Sequence, residues 1–361
     1  RCTRLPSGPH IHHAPPRNHH AQSTYQRCPI HRPDIMSTPT TRPALRLISL
    51  GAGVQSSTLL LLAAEGRLPK PDAAIFADTG WEPAAVYAHL ARLETEIAAP
   101  AGIPIYRVRR GHIRNDALNP HARFAQMPLY LLFPDGSRGM LRRACTAEYK
   151  IAAIKPQVRA LLGFEHPTPV PAGVFAEQWV GYSIDESSRA ARATDDVAYT
   201  RSAFPLLFLP GGTGRSVHGW TRQDCERYLR TKGFESTPKS ACIGCPYHTN
   251  AYWRDMRDHR PAEWADAIAF DHAIRHGAAR ANANGQPLRG QAFLHRSCVP
   301  LEHAPIDHVT AAEWRSRQLD MFDAVADLEI ERGCSPWGCR GEDDEDDSID
   351  ATWQITPAHA A

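Results

Sequence analysis

The sequence predicts an α/β protein with a doubly wound parallel sheet, followed by a mainly helical C-terminal part that contains cysteines. Two observations predict this fold. From residue 44 onwards apolar strand segments alternate with helical segments, and the first strand continues directly into a glycine loop and a helix. Strands that alternate with helices pair in parallel through crossovers, and ligands of such sheets bind at the carboxyl ends of the strands. A functional site is therefore expected at that edge.

The individual elements follow from hydrophobic periodicity and from helix start and stop signals. The helix at 146–163 is expected to be interrupted at Pro156, whereas the helix at 221–234 has Thr221 as its N-cap and Gly233 at its end. The predicted strands are 44–50, 72–78, 103–110 and 178–183, and the predicted helices are 56–66, 82–98, 146–163 and 221–234, with mainly helical segments around 251–276 and 310–331.

Composition excludes several classes of protein. The 361 residues include 41 basic and 39 acidic side chains, so the net charge of +2 by itself indicates neither a nucleic-acid nor a membrane partner. No window reaches the about 18 apolar residues of a membrane span, and the N-terminus lacks the apolar core of a secretory signal. Nine cysteines are few for a disulfide framework in a chain of this length. We therefore expect a cytoplasmic protein with no membrane partner.

The segment LISLGAGVQSST, residues 47–58, is the most informative part of the chain. Gly51 and Gly53 allow a tight turn and close approach of a ligand, while the N–H groups at the start of the following helix favour an anion. Ser56 and Ser57 add hydroxyl groups at that helix start. Three interpretations stay open: a structural turn, a dinucleotide site of the GxGxxG type without its last glycine, and a nucleotide phosphate loop.

The same loop resembles the SGGxDS pattern of the PP-loop ATP pyrophosphatases, which stands here on the six residues from Gly51 to Ser56. Gly51 takes the place of the first serine, and Gln55 takes the place of the aspartate, so that a neutral amide stands where the family has a charge. In that family the loop holds the β- and γ-phosphates of ATP, or the equivalent part of a sulfonucleotide. Pyrophosphate leaves when a substrate is adenylated.

Three later segments are similar, in the same order, to the phosphoadenosine phosphosulfate (PAPS) reductase family. The segment 78–80 matches the family's DTG after the second strand, 142–150 matches a cysteine-plus-basic helix start, and 181–189 matches GxxxDES with a following arginine. The resemblance covers roughly residues 45–250. It implies a Rossmann-like, adenine nucleotide alpha-hydrolase-like fold for the doubly wound sheet.

The resemblance also implies a nucleotide site that takes ATP or PAPS together with Mg²⁺. The implied catalytic residues are Ser56, Asp78, Lys150 and Asp185. The implied nucleotide-binding residues are Ser49, Gly51, Ala52, Gly53, Val54, Gln55, Ser56, Ser57, Asp78, Thr79, Gly80, Gly181, Glu186 and Arg189. Arginines at 107, 109, 110 and 114 flank the end of the third strand and suggest a basic rim over the site.

A cysteine pair separated by two residues suggests a metal site. Cys242 and Cys245 can turn both thiolates toward one ion, although a lone CxxC is also typical of redox sites. Together with Cys145 and Cys298 they are the expected ligands of a [4Fe–4S] cluster. Zinc, with His248 or His295 in place of one cysteine, is the alternative, and unligated structural cysteines are the third interpretation.

The expected function is ATP binding and adenylation of a second substrate with release of pyrophosphate, in sulfur transfer or in modification of a nucleic acid or nucleobase. A PAPS or APS reductase or sulfotransferase is one alternative, although the C-terminal ECGxH of PAPS reductases is absent and GCRGE, with Cys339, is only a weak match. A non-catalytic nucleotide- or nucleic-acid-binding module is the other, because Gln55 lacks the charge. The expected partners are an adenine nucleotide and this second substrate, and a homodimer stays open.

Four regions are expected along the chain. Residues 1–43 have no periodic apolar pattern and are predicted to be a disordered leader, with Met36 as a candidate native start. Residues 44–240 are the predicted PP-loop nucleotide-binding domain. A helical, cysteine-containing C-terminal region is expected at 241–333, and an acidic flexible tail at 334–361.

Overall fold

The computed structural model describes residues 42–123, 126–193, 197–210, 219–311 and 313–314. The predicted leader up to residue 41, the predicted helix beyond residue 314 and the predicted tail at 334–361 lie outside the described residues. No helix within the described ranges is both long enough and apolar enough to cross a membrane.

Five parallel strands form the central sheet, in the order β3-β2-β1-β6-β7. The strand order reverses at β1, which has β2 on one side and β6 on the other. The predicted α/β, Rossmann-like class is therefore confirmed. The strands are β1 (Leu45–Leu50), β2 (Ala73–Asp78), β3 (Ile105–Arg109), β4 (Tyr130–Leu132), β5 (Arg138–Met140), β6 (Ala176–Trp179), β7 (Thr200–Ala203) and β8 (Gln291–Phe293).

Helices cover both faces of this sheet because alternate residues of its strands point to opposite sides. Ile48 of β1 packs in the core that includes α1, α2 and α7, whereas Leu47 packs in the core that includes α5. The helices are α1 (Val54–Ala64), α2 (Ala84–Arg92), α3 (Ala99–Ala101), α4 (Ile113–Leu118), α5 (Ala152–Leu161), α6 (Ser187–Arg192), α7 (Arg222–Thr231), α8 (Asn250–His259), α9 (Pro261–Ala273) and α10 (Ala279–Ala283). Shorter helical turns lie at Leu93–Ala98, Thr146–Ile151, Ile184–Glu186, Pro205–Leu207 and Leu301–His303.

The small strands β4, β5 and β8 form a second, antiparallel sheet in the order β5-β4-β8. It contributes to a third core that also includes Trp81, Trp253 and Phe270. Residues from both sides of position 240 share this core, so the segment after β7 packs against the loops at the end of β2.

Several boundaries differ from the sequence predictions. The helix predicted at 56–66 begins at Val54, because Gly53 already acts as its N-cap. The strand predicted at 178–183 spans Ala176–Trp179, and the chain then leaves the sheet. Helix α5 continues through Pro156, where an interruption is predicted. The wider helical turn Thr146–Ile151 directly precedes α5, and Ile154 and Val158 pack in the core on either side of the proline.

Candidate functional site

A cleft opens at the carboxyl end of β1, at the point where the strand order reverses. Its empty space, including the part that is open to solvent, amounts to about 490 Å³. Four segments line it: the glycine loop with the first turn of α1, the loop after β6, the start of α7, and the chain just before the CxxC pair. The lining residues are Ser49, Gly51, Gly53, Val54, Gln55, Ser56, Gly181, Tyr182, Glu186, Arg222, Pro238, Lys239 and Ser240.

The first turn of α1 forms the floor of this cleft. The first N–H groups of an α-helix have no partner within the helix, and the helix dipole adds a partial positive charge at the same end. The Ser56 hydroxyl accepts hydrogen bonds from the N–H groups of Gly51 at 3.1 Å and Gly53 at 3.3 Å, which folds the loop over the helix start. Local backbone geometry therefore prepares this end of the cleft for an anion.

Ala52 holds the loop in a strained conformation. Its φ angle is +55°, in the left-handed region, and the residue is fully buried. A side chain with a Cβ costs roughly 1–2 kcal/mol in this conformation. The loop thus stores local strain next to the cleft, as backbones at binding sites often do.

Gly181 brings the loop after β6 directly onto the start of α1. A Cβ atom at this position would lie 2.8 Å from the Ser56 nitrogen and 2.9 Å from the carbonyl carbon of Gln55. Both distances are shorter than real contacts allow, so only glycine fits here. The backbone at Gly181 therefore packs directly against the first turn of α1.

Glu186 connects the loop after β6 to the first turn of α1. The Gln55 side-chain amide donates to one carboxylate oxygen at 3.0 Å, and Arg189 forms an ion pair with the other. The Arg189 guanidinium also lies 4.9 Å from the centroid of the Tyr182 ring. Glu186 is buried, and these contacts compensate its charge.

Asp185 contacts the start of α7 and is not among the residues that line the cleft. Its carboxylate accepts a hydrogen bond from the Arg222 backbone N–H at 2.6 Å and from the Ser183 hydroxyl at 3.3 Å. The predicted N-cap Thr221 is confirmed, because its hydroxyl accepts from the Asp224 N–H at 3.1 Å. Asp185 thus fixes the helix start that carries Arg222 into the cleft.

Asp78 lies at the end of β2 and is held by its own turn, by α2 and by β3. One carboxylate oxygen accepts from the Gly80 N–H at 2.7 Å and from the Tyr87 hydroxyl at 2.8 Å, while the other pairs with Arg109. Burial and the hydrogen bond to Asp78 raise the pKa of Tyr87 above its ordinary value. Gly80 has φ +80°, and a Cβ there would lie 2.8 Å from the His112 ring.

The predicted basic rim is largely neutralised. Arg107 pairs with Glu94, Arg109 with Asp78, and Arg114 with Asp266. Arginines held in this way contribute little attraction for a further anion.

Thr79 joins the Asp78–Gly80 turn to the cysteine loop, which is the turn at Cys242–Cys245. Its hydroxyl donates to Glu82 Oε1 at 3.2 Å and lies 3.2 Å from the Cys242 sulfur. Lys150 Nζ lies 3.6 Å from the same Glu82 oxygen, and both side chains are almost completely buried. A hydroxyl, a thiol, a carboxylate and an ammonium group therefore meet in one cluster.

Three of the four predicted cysteine ligands lie on segments that contact one another. The N–H of Cys245 donates to the Cys242 carbonyl at 3.1 Å, which makes a tight turn. Cys145 precedes the helical turn that carries Lys150, and Arg143 lies 5.0 Å from the Tyr247 ring centroid. The chain before Cys145 thus contacts the CxxC loop, and the three cysteines belong to one core.

The fourth predicted ligand has a different environment. The Cys298 thiol donates to the Leu131 carbonyl of β4 at 3.5 Å, and burial raises its pKa. The part of the chain that the structure describes contains no group of three or more His, Cys, Asp or Glu side chains placed to hold a metal. The iron–sulfur cluster, and zinc as its alternative, stay predictions.

The two alternative histidine ligands are engaged elsewhere. His248 Nε2 donates to the carbonyl oxygens of Cys242 at 2.9 Å and Ile243 at 3.2 Å. His295 contacts Ser297 through Nδ1 at 2.7 Å and Asn250 through Nε2 at 3.0 Å. Burial, with the nearby Arg296, lowers the pKa of His295 to about 4.

No family model, no curated protein and no solved structure matches this chain. The resemblance to PP-loop enzymes therefore stays a prediction.

The structure brings most of the predicted nucleotide-binding residues to the cleft, but not all of them. The Ser57 hydroxyl lies 2.8 Å from His89 Nε2 in the buried core, and the Asp78–Gly80 turn lies beside Cys242. Ser49 lines the cleft and accepts from the Gln178 amide at 2.7 Å.

Five lining residues were not predicted: Tyr182, Arg222, Pro238, Lys239 and Ser240. A Cβ on Gly53 would lie 3.4 Å from the Ser240 Cβ, so the segment before the CxxC pair closes directly over the glycine loop. The one available signal was the position of Lys239, three residues before a candidate ligand cysteine. Nothing local in the sequence indicates that these distant segments meet.

Proposed function

We propose that the cleft binds the phosphates of an adenine nucleotide and that the protein is a PP-loop enzyme, which transfers AMP to an oxygen of a second substrate. The observation that carries this proposal is the first turn of α1, which forms the floor of a cleft that also has Lys239 and Arg222 on its walls. Helix N-termini with cationic neighbours are well suited to phosphate.

The lining groups match the charge that develops during adenylation. The acceptor oxygen forms a bond to the α-phosphorus, the bond from that phosphorus to the bridging oxygen breaks, and pyrophosphate leaves with the electron pair. Backbone N–H groups of Val54 to Ser56 and the Ser240 hydroxyl would bind the leaving phosphates. Groups placed in advance around a departing anion lower the barrier without reorganisation.

Magnesium would enter this site together with the nucleotide. Glu186 is the single carboxylate among the described residues that line the cleft, and Gln55 and Arg189 already hold it. Mg²⁺ usually takes one or two carboxylates and completes its shell with phosphate oxygens and water. Glu186 is therefore the protein ligand that fits, and the ion would neutralise phosphate charge.

The second substrate would react near the cysteine loop, because Cys242 lies only two residues after Ser240, which lines the cleft. The proposed chemistry is sulfur transfer or the modification of a nucleic acid or nucleobase in the cytoplasm. A [4Fe–4S] cluster, or zinc, belongs to this proposal as a support for sulfur chemistry or for the loop itself.

One observation favours a second candidate function. Residues 238–240 line the cleft, and Cys242 follows two residues later, with its thiol 3.2 Å from the Thr79 hydroxyl. A sulfonucleotide reductase or sulfotransferase would require a thiol close to the nucleotide site. In the reductase reaction a thiolate bonds to the sulfonyl sulfur, the bond from that sulfur to the phosphate oxygen breaks, and the nucleotide leaves with the electron pair. A second thiol then releases sulfite as a disulfide forms.

The two functions differ in ligand and product. We expect calorimetric titration of anaerobically purified protein to detect binding of Mg·ATP. Pyrophosphate should appear when an acceptor substrate is supplied as well. Sulfite from PAPS would favour the reductase, whereas ATP binding without turnover would favour a binding module.

Ser56→Ala should weaken ATP binding by about tenfold because the loop loses its organising hydroxyl. Ser137→Ala, on an exposed turn, is the matched control, and equal effects of both changes would argue against the cleft.

A further inference from the structure

We propose that Lys239 is a phosphate-binding residue of the cleft, that Tyr252 positions it, and that ligand binding is communicated through His248 to the Cys242–Cys245 turn. This inference deepens the proposed function, since it takes the ligand to be a nucleotide with a phosphate chain. No sequence motif assigns a role to Lys239, to Tyr252 or to this communication.

Lys239 lies on the cleft wall opposite the start of α1. Its neighbour Ser240 contacts the glycine loop, which fixes the backbone of this wall against the floor. The Lys239 ammonium lies 5.6 Å from the centroid of the Tyr252 ring. An aromatic ring at this distance attracts a cation, which limits the positions that the long side chain samples.

Tyr252 is itself held from several sides. Its ring stacks on His248 with centroids 3.8 Å apart and an angle of 16° between the planes. The Arg260 guanidinium lies 4.6 Å from the centroid and also donates to the hydroxyl at 3.1 Å. A ring that is fixed in this way can act as a platform for Lys239.

The same stack contacts the cysteine loop through hydrogen bonds. His248 Nε2 donates to the carbonyl oxygen of Cys242, and this carbonyl also accepts the N–H of Cys245. A phosphate that draws Lys239 away from Tyr252 replaces a weak cation–π contact with a stronger charge-assisted hydrogen bond. The stack then loses one of its cations, and the change reaches the turn through His248.

Binding measurements with ATP and with inorganic pyrophosphate test whether Lys239 binds phosphate and whether Tyr252 positions it. We expect Lys239→Ala to lower the affinity for both ligands by about tenfold or more, and Tyr252→Leu to lower it by about three- to tenfold. Tyr252→Phe keeps the ring and should stay within about twofold of the wild type. Lys70→Ala, at an exposed lysine outside the cleft, should leave both affinities unchanged.

Hydrogen–deuterium exchange of the peptide 241–249 tests the communication. Saturating pyrophosphate should change exchange at the Cys245 and His248 amides in the wild type and in Tyr252→Phe, but not in Tyr252→Leu. Unchanged exchange in the wild type would overturn the communication. If Tyr252→Leu is less stable, Lys239→Ala at saturating pyrophosphate still decides, because it should remove the exchange response while the ring contact between Tyr252 and His248 stays in place.

The outcomes separate this inference from the proposed function. Wild-type affinity for ATP in Lys239→Ala would overturn the inference and leave nucleotide binding in place. Lys239-dependent binding of pyrophosphate without any binding of ATP or PAPS would overturn the proposed function and leave the inference in place.

Discussion

At the scale of single residues, polar groups near the cleft divide into those that face a ligand and those that hold the site together. Ser56 and Glu186 line the cleft, whereas Asp78 and Asp185 hold turns and helix starts. A carboxylate after a strand suits both tasks, because each requires an acceptor next to backbone N–H groups. The sequence predicts where these residues lie, but the partner that each one takes depends on the packing of distant segments.

Ala52 provides a direct test of strain in the glycine loop. Ala52→Gly should raise the free energy of unfolding by about 0.5–1 kcal/mol, because glycine adopts φ +55° without strain but loses more entropy on folding. Urea denaturation measures this change. Ala63→Gly, inside α1, should lower stability by about 1 kcal/mol. A loss of similar size at position 52 would contradict the strained geometry.

The contact between Gln55 and Glu186 predicts a charge-dependent pair. Gln55→Glu should lower the free energy of unfolding by about 1–3 kcal/mol, because two carboxylates would then share a buried position. The double change Gln55→Glu with Glu186→Gln should recover part of this loss. A double-mutant cycle in urea measures the coupling, and strictly additive losses would rule out the contact.

At the scale of elements, the cleft depends on how α1 is fixed against its neighbours. Gly181 sets the distance to the loop after β6, and the Ser57–His89 hydrogen bond ties α1 to α2. Periodicity predicts α1 and α2 as amphipathic or buried helices, but it does not reveal this hydrogen bond between them. The three-residue strands β4, β5 and β8 are too short to show alternation, so the second sheet was not predicted.

His89 makes this helix contact dependent on pH. Burial, with Arg92 nearby, lowers the pKa of His89 to about 4 from an ordinary value of 6.5. Its contribution to stability is fully present above pH 6.5 and is lost as the pH falls toward 4. The free energy of unfolding should therefore drop by about 2 kcal/mol between pH 7 and pH 5 on account of His89.

Urea denaturation at both pH values, compared with His89→Gln, isolates this contribution. The drop should be smaller by about 2 kcal/mol in His89→Gln. His303→Gln, at an exposed histidine, should reproduce the wild-type drop. Identical pH dependence in His89→Gln and the wild type would show that His89 is not buried in the neutral form.

At the scale of the whole molecule, the site is assembled from residues that are far apart in the chain. The parallel sheet and the glycine loop are predictable because strand, turn and helix are contiguous in the sequence. The wall formed by Lys239 and Ser240 is not, because it meets Gly53 only after the chain has crossed from the sheet to the cysteine loop. The same long-range packing brings Cys242 to Thr79.

The cysteine loop leads to a prediction about metal content. Protein purified without oxygen should contain iron and sulfide, and Cys242→Ser should remove them. Cys225→Ser should retain them, because Cys225 is buried in α7 and lies in a different core. Elemental analysis and the absorption spectrum measure both. Colourless, iron-free wild-type protein after cluster reconstitution would contradict the prediction of an iron–sulfur cluster.

We propose that the cleft at the start of α1 binds nucleotide phosphate, and calorimetric titration of Mg·ATP into Gly181→Ala tests this claim. A methyl group at this position would lie 2.8 Å from the Ser56 nitrogen, whereas Gly139→Ala adds one in β5, away from the cleft lining. We predict that Gly181→Ala binds ATP at least about tenfold more weakly than the wild type, while Gly139→Ala binds normally. Equal affinity in the wild type and both variants, with all three folded, would contradict the claim.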